Sequence, residues 1–152
     1  MRRSYLIALI ALGIVVFVVV SALLARAFSI DGAEQSAISS VLQAEARGDV
    51  AGVVTGIRDC SRDPACRARA ATNAAALRTP GPVTVVKFDS SAGFALGSTL
   101  GTARVAWRIG NGLPIVQCVR VKRSGNLIGG LHIELLEISR RIPSDHACPA
   151  TY

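Results

Sequence analysis

The sequence predicts an α+β protein in which an N-terminal transmembrane helix precedes two or three helices packed on a curved antiparallel sheet of about four strands. Three observations support this class. Residues 5–25 form an uninterrupted apolar run, residues 31–78 carry apolar side chains at helical spacing, and residues 83–141 alternate between apolar and polar side chains. Because a helix repeats every 3.6 residues and a strand every two, these periods separate a helical part from a strand-rich part.

The apolar run is long enough to cross a bilayer. As a helix it would reach roughly 31 Å, the thickness of the hydrocarbon core. Arg2 and Arg3 precede it, so the positive-inside rule keeps that end in the cytoplasm. Ala25-Arg26-Ala27 also fits a signal-peptidase site, and a cleaved secretory signal would deliver the same domain to the same side. We expect a cytoplasmic stub and membrane anchor at 1–28, an extracytoplasmic α+β domain at 29–142 and a tail at 143–152.

The charge balance argues against a nucleic-acid partner. The chain has 17 Lys and Arg residues against 10 Asp and Glu residues. Without Arg2, Arg3 and Arg26, 14 basic residues face 10 acidic ones, a net charge of +4. This excess is modest, and no stacked-aromatic or arginine-rich binding motif accompanies it. The length outside the predicted anchor suits one ordinary domain with its own core.

Three helices are expected between the anchor and the strands. Asp31 and Glu34 have the spacing of a capping box, which would begin the first helix. Arg47-Gly48-Asp49 matches an integrin-binding tripeptide, but at this helix end it fits a glycine cap followed by an aspartate cap. Residues 50–57 carry the apolar spacing of a second short helix, which is expected to stop near Cys60. Asp63-Pro64 opens a third helix that continues to Arg78.

The alternating part predicts four strands, at about 83–88, 101–110, 113–123 and 127–141. Gly110-Asn111-Gly112 and Ser124-Gly125-Asn126 have the composition of hairpin turns. The odd-numbered positions form an apolar face without an ionisable residue: Ala103, Val105, Trp107, Ile109, Ile115, Val119, Val121, Leu127, Leu131, Ile133 and Leu135. Such a sheet is covered on one side only, here by the helices. The alternation breaks at Leu135-Leu136, which predicts a bulge.

The even-numbered positions place basic residues side by side on the other face of the sheet. The residues that would form an anionic-partner patch are Arg104, Arg108, Arg120 and Lys122, with Arg123, Arg140 and Arg141 near its rim. Such a patch would attract lipid headgroups, a wall polymer or an acidic protein. An ordinary soluble surface explains the same residues equally well.

Four cysteines, Cys60, Cys66, Cys118 and Cys148, all lie outside the predicted anchor. An even count suits disulfides in an oxidising compartment. Three pairings are possible, and we favour Cys60 with Cys66 and Cys118 with Cys148. A zinc site with His132 and His146 is the alternative, but the C-x5-C spacing lacks a tight metal knuckle. We expect no metal and no other cofactor.

The order of helices followed by the strands TARVAWRI, LPIVQCVRVKR and LIGGLHIELLEIS resembles the nuclear-transport-factor-2-like superfamily of cone-shaped α+β domains. The resemblance covers about residues 30–142, and a cystatin-like sheet wrapping one helix is the structural alternative. With its anchor, the chain is similar to the small single-pass proteins of actinobacteria that accompany mammalian-cell-entry (Mce) lipid transporters. It also looks like the inner-membrane scaffold component of conjugation systems. These resemblances imply an accessory role in an envelope assembly.

Enzymes of that superfamily use an acid or base inside the cone, often with a tyrosine. Here Tyr5 and Tyr152 lie at the chain ends, and only Asp89 and the pair His132 and Glu134 offer candidates. We therefore expect no catalytic residue. The chain is interpreted as a binding or scaffolding domain whose partner is a protein or an anionic envelope component. The alternatives are a carrier of a hydrophobic ligand or lipid and a small isomerase- or cyclase-like enzyme.

Overall fold

The computed structural model describes residues 2–90, 99–126, 130–143 and 146–149. These residues contain three helices and four strands, which confirms the α+β class and the antiparallel sheet. The chain divides into two compact units, Met1–Ala33 and Glu34–Tyr152. The first unit is helical throughout its described length. The second contains the sheet and the core.

The first helix, α1, extends from Arg2 to Arg47 without a break. Asp31 therefore lies inside a helix, and the predicted capping box at Asp31 and Glu34 is wrong. No proline separates the apolar run from the following helical pattern, and Gly32 alone costs a helix only about 1 kcal/mol. Among the residues that the structure describes, no helix combines the length and the apolarity needed to cross a bilayer.

The two short helices begin where the sequence predicts. The third helix ends one residue before Arg78, whereas the second ends at Gly56 rather than near Cys60. Gly48 adopts a φ of 74° after α1, a conformation that favours glycine. Asp49 then caps α2 (Val50–Gly56), because its side chain accepts a hydrogen bond from the backbone nitrogen of Gly52 at 2.9 Å. Asp63 caps α3 (Pro64–Leu77) in the same way, accepting from Ala65 at 2.9 Å. The capping interpretation of Arg47-Gly48-Asp49 is confirmed.

The strands are β1 (Val83–Ser90), β2 (Thr99–Ile109), β3 (Ile115–Asn126) and β4 (Gly130–Ile138). They pair antiparallel in the order β1-β2-β3-β4. The turn at 110–112 is confirmed, but Ser124-Gly125-Asn126 belongs to β3, where Asn126 pairs with Gly130. Continued pairing with β4 overrides the turn preference of these three residues. Residues 127–129, where the predicted fourth strand begins, lie outside the described residues.

The bulge predicted at Leu135-Leu136 is present. Arg120 pairs with Glu137 and Val121 with Leu135, so Leu136 is the additional residue in β4. A second irregularity lies in β1, where Val85 and Lys87 have partners and Val86 is bypassed. Each bulge shifts the alternation of its strand by one position.

One hydrophobic core joins the helices to the odd-numbered face of the sheet. Its largest buried side chain is Trp107 on β2, and Ile38 and Leu42 enter it from α1. Val116 and Cys118 lie on the even-numbered face and are nevertheless buried. The C-terminal segment continues beside β3 where β4 has ended, since Ile142 forms an antiparallel bridge with Val116. Cys148 of this segment is bonded to Cys118. Leu127 is outside the described residues.

Candidate functional site

The core of the second unit contains a buried carboxylate, that of Glu45 on α1. One of its oxygens accepts a hydrogen bond from Asn73 Nδ2 on α3 at 2.8 Å, and the other accepts from Gln117 Nε2 on β3 at 3.0 Å. Both amide nitrogens also donate to the backbone carbonyl of Ser139, each at 3.0 Å. Trp107 Nε1 donates to the side-chain carbonyl of Gln117 at 2.8 Å. These five hydrogen bonds link α1, α3, β2, β3 and the residue after β4 in one polar network.

Burial raises the pKa of Glu45 from 4.5 to about 7, and the hydrogen bonds from Asn73 and Gln117 lower it in part. Desolvation is the larger influence because the side chain is completely buried. Glu45 therefore titrates near neutral pH, where a buried acid is able to change its charge in the folded protein.

The sequence analysis missed this network, although two signals were present. Glu45 lies four residues after Val41 on the apolar stripe of α1, so helical spacing places it inside. Gln117 occupies an odd-numbered position between Ile115 and Val119, where the alternation calls for an apolar residue. A polar residue at a core position needs a partner, and Glu45 supplies it.

A second buried carboxylate, that of Glu34, lies near the start of the second unit and pairs with an arginine. Glu34 is completely buried and accepts a hydrogen bond from Arg123 Nε at 2.6 Å. Ser90 accepts a hydrogen bond from Arg123 Nη2 at 2.8 Å. Arg123 is only 9% exposed, so its predicted place at the rim of a surface patch is wrong. The eleven odd-numbered positions predicted to face inward hold no ionisable residue, but the odd-numbered Arg123 is also buried on that side of the sheet.

The four residues of the predicted anionic-partner patch lie on the even-numbered face, but acids alternate with them. Arg120 forms an ion pair with Glu137 at 3.0 Å, and Arg104 lies opposite Asp89 in the sheet register. Lys122 lies opposite Glu134. Arg108 differs from these three because it is exposed and lies opposite Thr84. Opposite charges on facing strands attract one another, so these carboxylates reduce the positive charge of the face. Asp89 and Glu134 also form ion pairs with Lys87 and Arg58.

Glu134 and His132 are the candidate acid and base of the sequence analysis, but Glu134 contacts a different residue. Glu134 forms an ion pair with Arg58, and this hydrogen bond raises the pKa of Arg58. The backbone nitrogen of Arg58 also donates to the carbonyl of Leu135 at 2.8 Å. The connection after α2 is thereby fixed to β4. Asp89, the other acid considered, pairs with Lys87 at 3.0 Å on the surface.

The cysteines form two disulfides, Cys60 with Cys66 and Cys118 with Cys148, which is the pairing that the sequence analysis favours. The first closes the connection between α2 and α3. The second joins the C-terminal segment to β3. In the described part of the chain, no group of His, Cys, Asp and Glu residues is arranged to hold a metal ion.

An open groove lies beside the C-terminal segment and is lined by Pro114, Arg141, Ile142 and Pro143. None of its lining residues belongs to the Glu45 network. The groove and the Glu45 network are therefore separate, and the hydrogen bonds of the network join protein groups to one another.

The fold and these contacts define a small, disulfide-bonded α+β domain with a four-stranded antiparallel meander. Comparison with protein families, curated proteins and solved structures finds no match.

Proposed function

We propose that the chain is a single-pass membrane protein whose second unit is an extracytoplasmic binding or scaffolding domain without catalytic activity, serving as an accessory component of an envelope assembly. The observation that carries this proposal is the pair of disulfides. All four cysteines are oxidised, and disulfides persist in oxidising compartments. A domain in such a compartment has crossed a membrane.

The membrane anchor in this proposal rests on the amino-acid sequence of residues 5–25. Its large apolar side chains between Ile7 and Leu23 that the structure describes are 48% to 71% exposed. Water disfavours contiguous apolar surface of this extent, whereas lipid accommodates it. A reporter that is active only outside the cytoplasm, fused after residue 152, tests the orientation. Activity of a cytoplasmic reporter at that site would contradict it.

The binding role is proposed for the even-numbered face, where Arg108 is the exposed member of the four-residue patch. Arg104, Arg120 and Lys122 lie opposite or in contact with acids, as described above, so an anionic partner would have to compete with those carboxylates. The partner class is a protein or an anionic component of the envelope, such as a lipid headgroup or a wall polymer.

Recovery of a partner from native membranes tests this role. Arg108→Glu combined with Lys122→Glu reverses charge on the face without removing a buried group, so we expect the partner to be lost from the purified material. Arg62→Glu is the matched control, because Arg62 is an exposed arginine in the Cys60–Cys66 connection. Equal recovery with both variants would remove the even-numbered face from the proposal.

One observation favours the enzyme alternative, namely the buried Glu45 with a pKa of about 7. A general acid or base is most effective when its pKa lies near the working pH. Both oxygens of Glu45 already have amide donors, however, and the groove beside the C-terminal segment is lined by other residues. The non-catalytic interpretation is therefore preferred. A hydrophobic-ligand carrier would instead show bound small molecules in native mass spectrometry of the detergent-extracted protein.

A further inference from the structure

We propose that Glu45 and Asn73 form a proton-controlled latch on Ser139, in which the ionised carboxylate holds the Asn73 amide on the Ser139 carbonyl and protonation turns that amide away. Ser139 is the first residue after β4, where the C-terminal segment begins. The latch therefore links the charge of a core residue to the attachment of that segment.

The hydrogen bonds of the network fix the orientation of the Gln117 amide but not that of the Asn73 amide. Trp107 has an indole N–H that only donates, so Gln117 must present its carbonyl to Trp107 and its nitrogen to Glu45 and Ser139. Asn73 presents its nitrogen to the same two groups. An ionised carboxylate only accepts hydrogen bonds, so it satisfies both amides at once.

Protonation of Glu45 changes this arrangement because one carboxylate oxygen becomes a donor. The new O–H faces an amide NH2 group, which is also a donor, and one amide must turn to offer its carbonyl. Turning Gln117 would direct its NH2 group at the N–H of Trp107, leaving both without an acceptor. Turning Asn73 gives the O–H an acceptor, and it replaces the hydrogen bond to Ser139 by an unfavourable approach of two carbonyl oxygens. Asn73 is therefore the residue whose side-chain amide changes orientation.

The consequence for the C-terminal segment is a loosening rather than a release. Ser139 keeps the hydrogen bond from its backbone nitrogen to the carbonyl of Cys118 at 2.8 Å, and its hydroxyl accepts from the nitrogen of Cys118 at 2.8 Å. Three residues later, Ile142 donates to the carbonyl of Val116 at 2.8 Å. The disulfide from Cys118 to Cys148 retains the segment in either state.

The groups that face Glu45 in the described core are uncharged. They are Asn73 from α3, Gln117 from β3 and, behind Gln117, Trp107 from β2. Two buried or half-buried arginines of the same elements have other partners: Arg69 approaches Glu137 at 4.0 Å, and Arg123 binds Glu34. Arg140, next to Ser139, is exposed. Burial alone is thus the main influence on Glu45, consistent with its raised pKa.

Nuclear magnetic resonance of the full-length protein in detergent micelles tests the latch between pH 5 and pH 9. The chain has one tryptophan, so the single indole N–H signal reports on Trp107 without ambiguity. We expect this signal and the side-chain NH2 signals of Asn73 to shift with one midpoint near pH 7. Below that pH, the exchange protection of the Ile142 amide should fall about fivefold, the factor for loss of one hydrogen bond.

Variants of Glu45 and Asn73 distinguish the proposed latch from a purely structural role of these two residues. Glu45→Gln should abolish the titration at Trp107, whereas Glu134→Gln, a change at a surface glutamate, should leave it intact. Asn73→Ala should retain the titration of Glu45, followed by its carbon-13 carboxyl signal, but remove the pH dependence of Ile142 protection. If Glu45→Gln does not fold, the latch is tested by the titration of the wild-type protein and by the pH dependence of Ile142 protection in Asn73→Ala. The proposal is overturned if the wild type shows no transition near neutral pH, if the transition persists in Glu45→Gln, or if Ile142 protection stays pH-dependent in Asn73→Ala.

Discussion

Glu34 and Arg123, 89 residues apart in the chain, form a buried ion pair in which Arg123 Nε lies 2.6 Å from Glu34 Oε2. The pair joins the beginning of the second unit on α1 to the end of β3. Ser90 accepts a further hydrogen bond from Arg123, so the end of β1 is included. Two charges removed from water need this mutual contact, because either one alone would remain buried without compensation.

Arg123→Leu should therefore destabilise the second unit by about 3–5 kcal/mol, since it leaves the carboxylate of Glu34 buried and unpaired. Denaturation in urea, followed by Trp107 fluorescence, measures this change. The double variant Glu34→Leu with Arg123→Leu should recover most of the loss because no buried charge remains. Arg62→Leu is the exposed control, for which we expect less than about 0.5 kcal/mol. A double variant as unstable as the single one would show that the pair is not the cause.

Stability should depend on pH through Glu45. Its pKa is about 7 in the folded state and 4.5 in the unfolded state, so the folded protein binds the proton more tightly between these values. The contribution of this group is fully present below about pH 4.5 and is lost as the pH rises to about 7. The full difference corresponds to about 3 kcal/mol. Urea denaturation at pH 5 and pH 8 should show greater stability at pH 5, and Glu45→Gln should reduce the difference. An unchanged pH dependence in that variant would contradict the assignment to Glu45.

The two disulfides should contribute unequally. Cys118 and Cys148 are 30 residues apart and Cys60 and Cys66 are six apart, so the longer loop restricts the unfolded chain more. Replacing each pair with serine should lower stability by about 4 and about 2 kcal/mol, respectively, on the loop-entropy estimate. Thermal unfolding of the two double variants gives the comparison. Equal losses would indicate that contacts of the folded state, rather than loop length, set the contribution.

The turn between α1 and α2 should tolerate little change. An added Cβ at Gly48 would lie 2.9 Å from Cδ of Arg78, and the backbone φ of 74° disfavours any other residue. Gly48→Ala should therefore destabilise by roughly 1–2 kcal/mol. Asp49→Ala removes the cap of α2 and should lose about 1 kcal/mol. Gln43→Ala, at an exposed residue of α1, is the control for denaturation measurements. A loss for Asp49→Ala no larger than for this control would show that the cap does not matter.

Local sequence patterns predicted most elements correctly because they depend on neighbouring residues. The caps at Asp49 and Asp63, the apolar face of the strands and the bulge at Leu136 all follow from spacings of a few residues. The same local logic failed at Asp31, where a cap pattern lies inside a continuous helix. It also failed at Ser124-Gly125-Asn126, where pairing with β4 outweighs turn preference.

The amino-acid sequence by itself determined the helical and strand periods, the apolar run and an even number of cysteines, which allows all four to form disulfides. Only the tertiary structure decided which polar residues meet: Glu45 with Asn73 and Gln117, and Glu34 with Arg123. The physical reason is distance along the chain. Periodicity describes interactions between residues a few positions apart, whereas these partners are 28 to 89 residues apart and meet only when the helices pack on the sheet.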